Sequence, residues 1–462
     1  MNGMNRILCI TAFLLLMCDS VAADAEHDTA RPNIIVLLAD DLGYSDLSCY
    51  GSRSTKTPNL DRLAESGMRF TDFYAPAPNC SPSRTGLLTG RSPSRTGMYS
   101  YIPPNGPLHL PASEVTIAEL LRDAGYDTAH MGKWHLCHDM LSEDLPQPAD
   151  HGFDYSLGTE NNASPSHKNP TNFVRNGKAV GKIEGYSCQI VADEVIGYLD
   201  EKSDSDKPFF ICAWFHETHT PIASPPELVK QHGDAKSEKD ARYYANVENL
   251  DIAVGRILEA LDKQGLAEDT FVIFSSDNGG VRPESCAPLR GRKSFVWEGG
   301  IREPGIIRWP GRVKPGSVCR QPAGLIDLLP TFCTLAGCSV PDDRPIDGVN
   351  LLPLFEGKQL ERSTPLFWYF YRTAPAAAMR VDDWVIVAYL EEGLPRSHAL
   401  SAEQMDFLKH AKLEQFELFN LRQDLAQTTD LSTRHTERFE AMKRRIVKLH
   451  GEVVAEGPVW FQ

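Results

Sequence analysis

Short apolar runs, each closed by polar or turn-forming residues, recur along the first three quarters of the chain. Residues 33–39 read NIIVLLA, 208–215 PFFICAWF and 270–276 TFVIFSS. Each is short, rich in β-branched and aromatic residues and apolar at consecutive positions, which predicts a strand buried on both faces. Between them the period changes. VTIAELLRDAG and ARYYANVENLDIAVGRILEALDKQG space their apolar residues three and four apart and close in glycine, as helices do. Strand and helix in alternation predict a layered α/β fold, a large central sheet flanked by helices. After about residue 360 the texture shifts: PLFWYFY, MRVDDWVIVAYL and FELFNL predict an antiparallel sheet, and HTERFEAMKRRIVKLHGEV a terminal amphipathic helix. The expected organisation is a main domain over residues 23–360 and a smaller α+β subdomain over 361–462.

The N-terminus, MNGMNRILCITAFLLLMCDSVAADA, sets Arg6 before an apolar run from Ile7 to Met17 and small residues after it. That run is too short and wrongly flanked for a membrane span, and predicts a signal peptide over residues 1–22 with cleavage after Ala22. Export to the periplasm or the outside of the cell follows as the expectation. LLMC, ending at Cys18, leaves lipid anchoring as a minor alternative, because Met17 is larger than a lipoprotein box prefers.

Charge narrows the partners. A formal net charge of -15 over 462 residues gives no basic face for nucleic acid or an anionic membrane, so any bound anion must meet local cations. Removing Cys9 and Cys18 leaves nine of the 11 cysteines, with no C-x-x-C pair among them, which argues against zinc. Apart from Cys80, these either pair in an oxidising compartment or sit as small buried hydrophobes.

Chemistry collects where strands stop. NIIVLLADD ends in Asp40 and Asp41, and TFVIFSSDNGG in Asp277 and Asn278. In open α/β sheets the carboxyl ends of strands line the ligand crevice, so these four groups can converge into a hard, all-oxygen site suited to calcium or magnesium. Either pair alone is also ordinary turn chemistry. YDTAHMGKWHL leaves a predicted strand with Lys133 and His135 two residues apart, and WFHETHTPIASPP sets His216 and His219 after another. PLRGRKSFVWEGGIREP supplies Arg290, Arg292 and Lys293 in a glycine-bounded loop. Together these groups form an inventory for anion chemistry: a divalent cation, fixed positive charges and histidines that move protons.

The stretch CSPSRTGLLTGR, from Cys80 to Arg91, then resembles the signature of type I sulfatases in the alkaline-phosphatase superfamily. DDLGYSD, GKWH, HTP, SDNG and GRK follow in the order that family uses, and the resemblance extends from about Asn33 to the C-terminal ELFNLRQDLAQTTDL. It implies an alkaline-phosphatase-like fold with a mixed central sheet. It implies that Cys80 is oxidised to Cα-formylglycine by a formylglycine-generating or sulfatase-maturing enzyme that reads Pro82 and Arg84. The aldehyde hydrate offers one hydroxyl to attack sulfur and another to expel the product. By the same resemblance Asp40, Asp41, Asp277 and Asn278 hold a calcium ion, or magnesium, which also touches residue 80. Arg84 and Lys133 hold the diol and its charge. His219 and Lys293 bind the sulfate and protonate the leaving oxygen, and His135 takes the proton of the second hydroxyl so that sulfate leaves. Asn162, placed after HGFDYSLG, matches a polar position that reaches the sulfate. Cys137 stands where the family commonly has glycine, and Ser48 and Cys49 occupy another glycine-rich stretch; neither departure touches a catalytic position.

IDGVNLLPLFEGK and FHETHTP look more like the carbohydrate sulfatases near N-acetylgalactosamine-6-sulfatase than the aryl-steroid branch. The implied substrate is a sulfated glycan. Two alternatives are a phosphoester or phosphonate hydrolase on the same scaffold and a sulfated-glycan binding protein without activity.

Overall fold

The computed structural model describes residues 31–202, 205–391 and 400–461; the predicted signal peptide lies outside them. An 11-stranded mixed sheet is built from strands between Asn33 and Gly324. Its order is Ser317–Cys319, Met68–Tyr74, Arg302–Arg308, Thr270–Ser276, Asn33–Ala39, Phe209–Trp214, Asp127–Lys133, Tyr155–Thr159, Phe173–Arg175 and Lys178–Gly181, with Ala323–Gly324 pairing beside Met68–Tyr74. The three apolar runs predicted as strands sit side by side at its centre. Asn33–Ala39 pairs in parallel with Phe209–Trp214 on one side and Thr270–Ser276 on the other, so that Ile35 lies opposite both Ile211 and Val272.

Burial on both faces explains why these runs are apolar throughout. Ile34, Val36 and Leu38 enter one hydrophobic core, while Ile35, Leu37 and Ala39 enter a second on the opposite face. Helices Pro58–Ser66, Ser187–Lys202 and Glu238–Lys263 cover the second core, and Cys80–Thr89, Ile117–Asp123 and Leu328–Ala336 cover the first.

Direction of pairing positions the chemistry. Asn33–Ala39, Thr270–Ser276, Phe209–Trp214, Asp127–Lys133 and Tyr155–Thr159 are mutually parallel, so all five end at one edge. Met68–Tyr74 reaches the same edge by two reversals, antiparallel to Arg302–Arg308, which is itself antiparallel to Thr270–Ser276. Gly132 is a position where only glycine fits: its φ is +111° and a Cβ would come within 1.8 Å of the Trp214 carbonyl oxygen.

The C-terminal part is a four-stranded antiparallel sheet, Leu366–Phe370, Ala376–Val381, Trp384–Leu390 and Leu413–Asn420 in that order, followed by helix Thr436–Glu456. MRVDDWVIVAYL supplies two of these strands, turning at Asp382, whose φ is 52°. One face of the sheet, with Phe367, Met379 and Ile386, joins the first core; the other packs Trp368, Phe370 and Val387 on Tyr74, Val296 and Ile301. Of the eight described cysteines other than Cys80, six are buried and two, Cys49 and Cys338, half-buried, and Cys338 lies in side-chain contact with Cys333.

Two buried histidines make stability pH-dependent. His130 stands edge-on to Trp134, Phe153 and Trp214, with ring centroids 5.0, 5.6 and 4.9 Å away, and burial, then Arg84, lower its pKa to about 3. Burial lowers His450, edge-on to Tyr369, to about 4. Both values are depressed, so the folded chain holds these rings neutral while the unfolded chain protonates them near 6.5. Their contribution is complete above that pH and is lost as pH falls towards the folded values. His450→Leu is expected to flatten the fall in unfolding free energy between about pH 6.5 and pH 4, by up to about 1.4 kcal/mol per pH unit, in urea titrations. An unchanged slope would show that His450 does not titrate with unfolding.

Candidate active site

Asp40 and Asp41 leave the central strand consecutively, and extended backbone would send their side chains to opposite faces. Asp41 instead adopts a left-handed conformation, φ 62°, which an aspartate tolerates and which turns both carboxylates towards one site. Asp40 Oδ2 lies 2.5 Å from Lys133 Nζ and 3.2 Å from an Arg84 guanidinium nitrogen. Asp41 Oδ1 accepts from Lys293 Nζ at 2.5 Å and from Asn278 Nδ2 at 2.8 Å, and its Oδ2 lies 3.6 Å from His219 Nε2. Arg84 donates twice to Asp277 Oδ2, at 3.1 and 2.7 Å, and once to the Lys133 carbonyl at 2.7 Å. A fully buried guanidinium thus ties three strand ends together.

Cys80 is the first residue of helix Cys80–Thr89 and is buried, with Sγ 3.9 Å from Asn79 Oδ1. The helix begins where the signature begins, so its free N–H groups and positive end face residue 80. The thiol itself is a poor nucleophile here. Burial pushes its pKa up, with Lys133 and Lys293 opposing and Asp40 and Asp277 adding to the rise.

The acids divide unequally. Burial raises Asp40, but Lys133, His219, Arg84 and Lys293 outweigh it and hold its carboxyl well below the usual range. Asp277 is pushed up to about 6 by burial and by Asp40, against the pull of Arg84. Lys293 is raised despite burial, by Asp41 above all. The three carboxylates meet three cations, Arg84, Lys133 and Lys293, yet not every oxygen of the cluster finds a donor. Asp40 Oδ1 and Asn278 Oδ1 are buried acceptors with no donor among the described residues, and Asp40, Asp41 and His219 offer ligand atoms all within 4.8 Å of one another. Buried oxygens without a donor beside clustered carboxylates fit a hard divalent cation.

The two histidines differ in their tethers. His135, at φ 52°, sets Nε2 3.0 Å from the Ile102 carbonyl oxygen and leaves Nδ1 buried without a partner. Nε2 therefore carries the proton and Nδ1 the lone pair. Burial and Lys133 hold the ring well below its ordinary pKa, hence neutral. His219 directs Nδ1 to the Thr220 carbonyl at 2.6 Å, which leaves Nε2 facing Asp41. Burial lowers its pKa against the pull of Asp41, and a bound anion would raise it again. Asn162 bridges the two sides, with Oδ1 3.4 Å from Lys133 Nζ and Nδ2 3.1 Å from the Thr220 carbonyl oxygen.

Some sequence candidates lie elsewhere. His216 turns to Thr159 Oγ1 at 2.8 Å and packs tilted against His167 and edge-on to Phe173, making no hydrogen bond or ion pair to the acids. Arg290 covers Trp297 at 4.0 Å and bonds the Gln427 carbonyl, so the basic loop sends Lys293 to the site by a different route. Sequence reading missed Ser276, whose hydroxyl accepts from Leu42 N–H and donates to the Asn278 carbonyl, both at 3.0 Å. It also missed Glu303. That residue is buried with both carboxyl oxygens unpartnered, and burial, followed by Asp277, Asp41 and Asp46, pushes its pKa well above the usual range. SSDNGG contains a hint of Ser276; nothing local marks Glu303, which reaches the acids through strand pairing.

A mixed α/β sheet with acids, buried cations and a helix N-terminus at its carboxyl edge defines a hydrolase of alkaline-phosphatase-like fold, built for an anionic ester. A family model described as Sulfatase matches residues 32–338, and one described as N-sulphoglucosamine sulphohydrolase, C-terminal, matches residues 292–452. N-acetylgalactosamine-6-sulfatase of Canis lupus familiaris is 34% identical over 96% of this chain and 90% of its own, and that of Homo sapiens 35% over 92% and 86%. The crystal structure of Ps i-CgsB in complex with k-i-k-neocarrahexaose superposes with a TM-score of 0.80, at 28% identity over 93% of this chain and 94% of the other. The chain belongs to the sulfatase family. It is an enzyme that hydrolyses sulfate esters.

Proposed function

We propose that this sulfatase removes sulfate from a sulfated carbohydrate, using a formylglycine formed from Cys80 and a calcium ion, or magnesium in its place. The observation that carries the reading is the pair of buried, donorless oxygens, Asp40 Oδ1 and Asn278 Oδ1, beside Asp41 and Asp277. Asp40, Asp41, Asp277 and Asn278 would hold the cation, with residue 80 as a further donor. Similarity to N-acetylgalactosamine-6-sulfatases and to a structure in complex with k-i-k-neocarrahexaose supports the carbohydrate. When bound, the hydrated aldehyde supplies a hydroxyl nucleophile, and the cation lowers its pKa and draws charge from the sulfuryl oxygens.

The chain's own residues do the rest. Arg84, buried and doubly bonded to Asp277, fixes the acid cluster and keeps positive charge under the reacting centre. Lys133 sits between Asp40 and Asn162, within reach of a bound oxyanion. Lys293 and His219 flank Asp41 and bind the sulfate, and the charge it brings raises His219, which then gives its Nε2 proton to the leaving oxygen. His135 accepts a proton at Nδ1. Asn162 ties the His219 loop to Lys133 and presents a polar group to the sulfate.

The maturing enzyme must meet CSPSR before the chain folds, because Cys80 is buried in the finished helix. Export is the proposed destination, since the predicted signal peptide precedes the first described residue; among the described residues no helix is long and apolar enough to cross a membrane.

Mass spectrometry of the peptide containing residue 80 is expected to find the aldehyde in protein made with a maturing enzyme and cysteine in protein made without one. Only the first should turn over substrate. Sulfated sugars and their phosphate monoesters, assayed side by side, decide the class of ester: phosphatase activity equal to or above sulfatase activity would overturn the reading.

A further inference from the structure

Beside the proposed site lies a cavity of about 410 Å³ that none of the assignments above uses. This volume is ample for one sugar residue. Its wall is built from the loops that carry site residues. Asn105 follows Ile102, whose carbonyl tethers His135, and His138 and Asp139 follow His135 itself. Glu160 and Asn172 come from the segment holding Asn162: the Asn172 amide donates to the Asn162 carbonyl at 3.0 Å and to the Glu160 carboxylate at 3.3 and 3.4 Å. A short polar chain therefore runs from Lys133 through Asn162 and Asn172 to Glu160. Leu141, an exposed side chain, supplies an apolar floor.

The chemistry of the lining is selective. Among the described residues around this cavity there is neither lysine nor arginine, while two carboxylates, Asp139 and Glu160, face it. Glu160 accepts only from Asn172 among the described residues, so its remaining lone pairs are open to hydroxyl donors. His138 keeps a buried Nδ1 without a partner. Apolar floor, hydroxyl acceptors and an amide match an uncharged sugar, whereas a second sulfate or a uronate would meet like charge without a counterion.

We infer that this cavity is the subsite for the sugar next to the sulfated unit, and that Glu160 makes it select an uncharged residue there. The inference rests on the carbohydrate sulfatase reading. It is tested with the matured enzyme, wild type and Glu160→Gln, on three substrates: an aryl sulfate, a sulfated oligosaccharide with a neutral residue beside the sulfated unit, and the same oligosaccharide bearing a second sulfate on that residue. Wild type is expected to prefer the neutral-flanked oligosaccharide about tenfold or more in kcat/KM. Glu160→Gln should raise KM for that substrate about fivefold with kcat nearly kept, bring the ratio between the two oligosaccharides close to one, and lower aryl turnover at most about twofold. Equal losses on aryl and sugar substrates would make Glu160 a structural residue and overturn the inference. An unchanged ratio, or a wild-type preference for the doubly sulfated oligosaccharide, would overturn it too. If wild type cleaves the aryl sulfate but neither oligosaccharide, the carbohydrate reading itself fails, a result distinct from the others.

Discussion

Asp41→Asn is expected to lower kcat/KM by at least about a thousandfold while the protein stays folded. Asparagine is the informative replacement because Asp41 sits at φ 62°, where alanine would add backbone strain that asparagine avoids. The substitution removes one negative charge from a cluster that already pushes Asp277 up to about 6 through burial and Asp40. Relief of that crowding offsets the loss of the contacts to Lys293 and His219, so the melting temperature measured in chelator should be unchanged or raised. Calcium should stabilise the wild type by mass action and the variant far less. A variant that keeps both its activity and its calcium-induced rise in melting temperature would remove Asp41 from the metal site. One that unfolds in chelator would show Asp41 to be structural.

The second large effect separates the histidines. His135→Asn keeps a residue tolerant of the left-handed backbone but removes the neutral imidazole whose Nδ1 is free to accept a proton. With an aryl sulfate it is expected to release about one equivalent of phenol per enzyme quickly and then turn over some 10²–10⁴-fold more slowly than wild type. His219→Ala should show no such burst. Its loss should be about 10²–10⁴-fold on sugar sulfates, whose alkoxide must be protonated to leave, and about tenfold or less on aryl sulfates, whose phenolates leave unaided. A burst in His219→Ala and none in His135→Asn would reverse the two roles. Full activity in both would move the proton transfers to other groups.

How much of this was legible beforehand depends on the range of the interaction concerned. NIIVLLA, TFVIFSS and PFFICAWF announce buried strands because a strand covered on both faces must be apolar at every position, a local property that composition alone satisfies. Their polar terminators are equally local, and parallel pairing carries them to one edge. Helix Cys80–Thr89 takes in the signature, and its Gly86 admits the close approach of Pro76, to which a Cβ would come within 2.5 Å. By itself, then, the sequence determined the alternation of strands and helices, the small C-terminal sheet and the chemical types gathered at strand ends.

Only the tertiary structure decided which of those groups meet. His216 and His219 are three residues apart and look alike in sequence, yet one caps Thr159 and the other faces Asp41. Arg290 and Lys293 share a loop and part in the same way. Glu303 lies under the acids because Arg302–Arg308 runs antiparallel to its neighbours, and the Glu160 cavity exists because three loops distant in sequence close around one space. Periodicity and turn chemistry act over a few residues, whereas a shared site depends on register and on which neighbour fills each gap, and those are fixed only when the whole core packs.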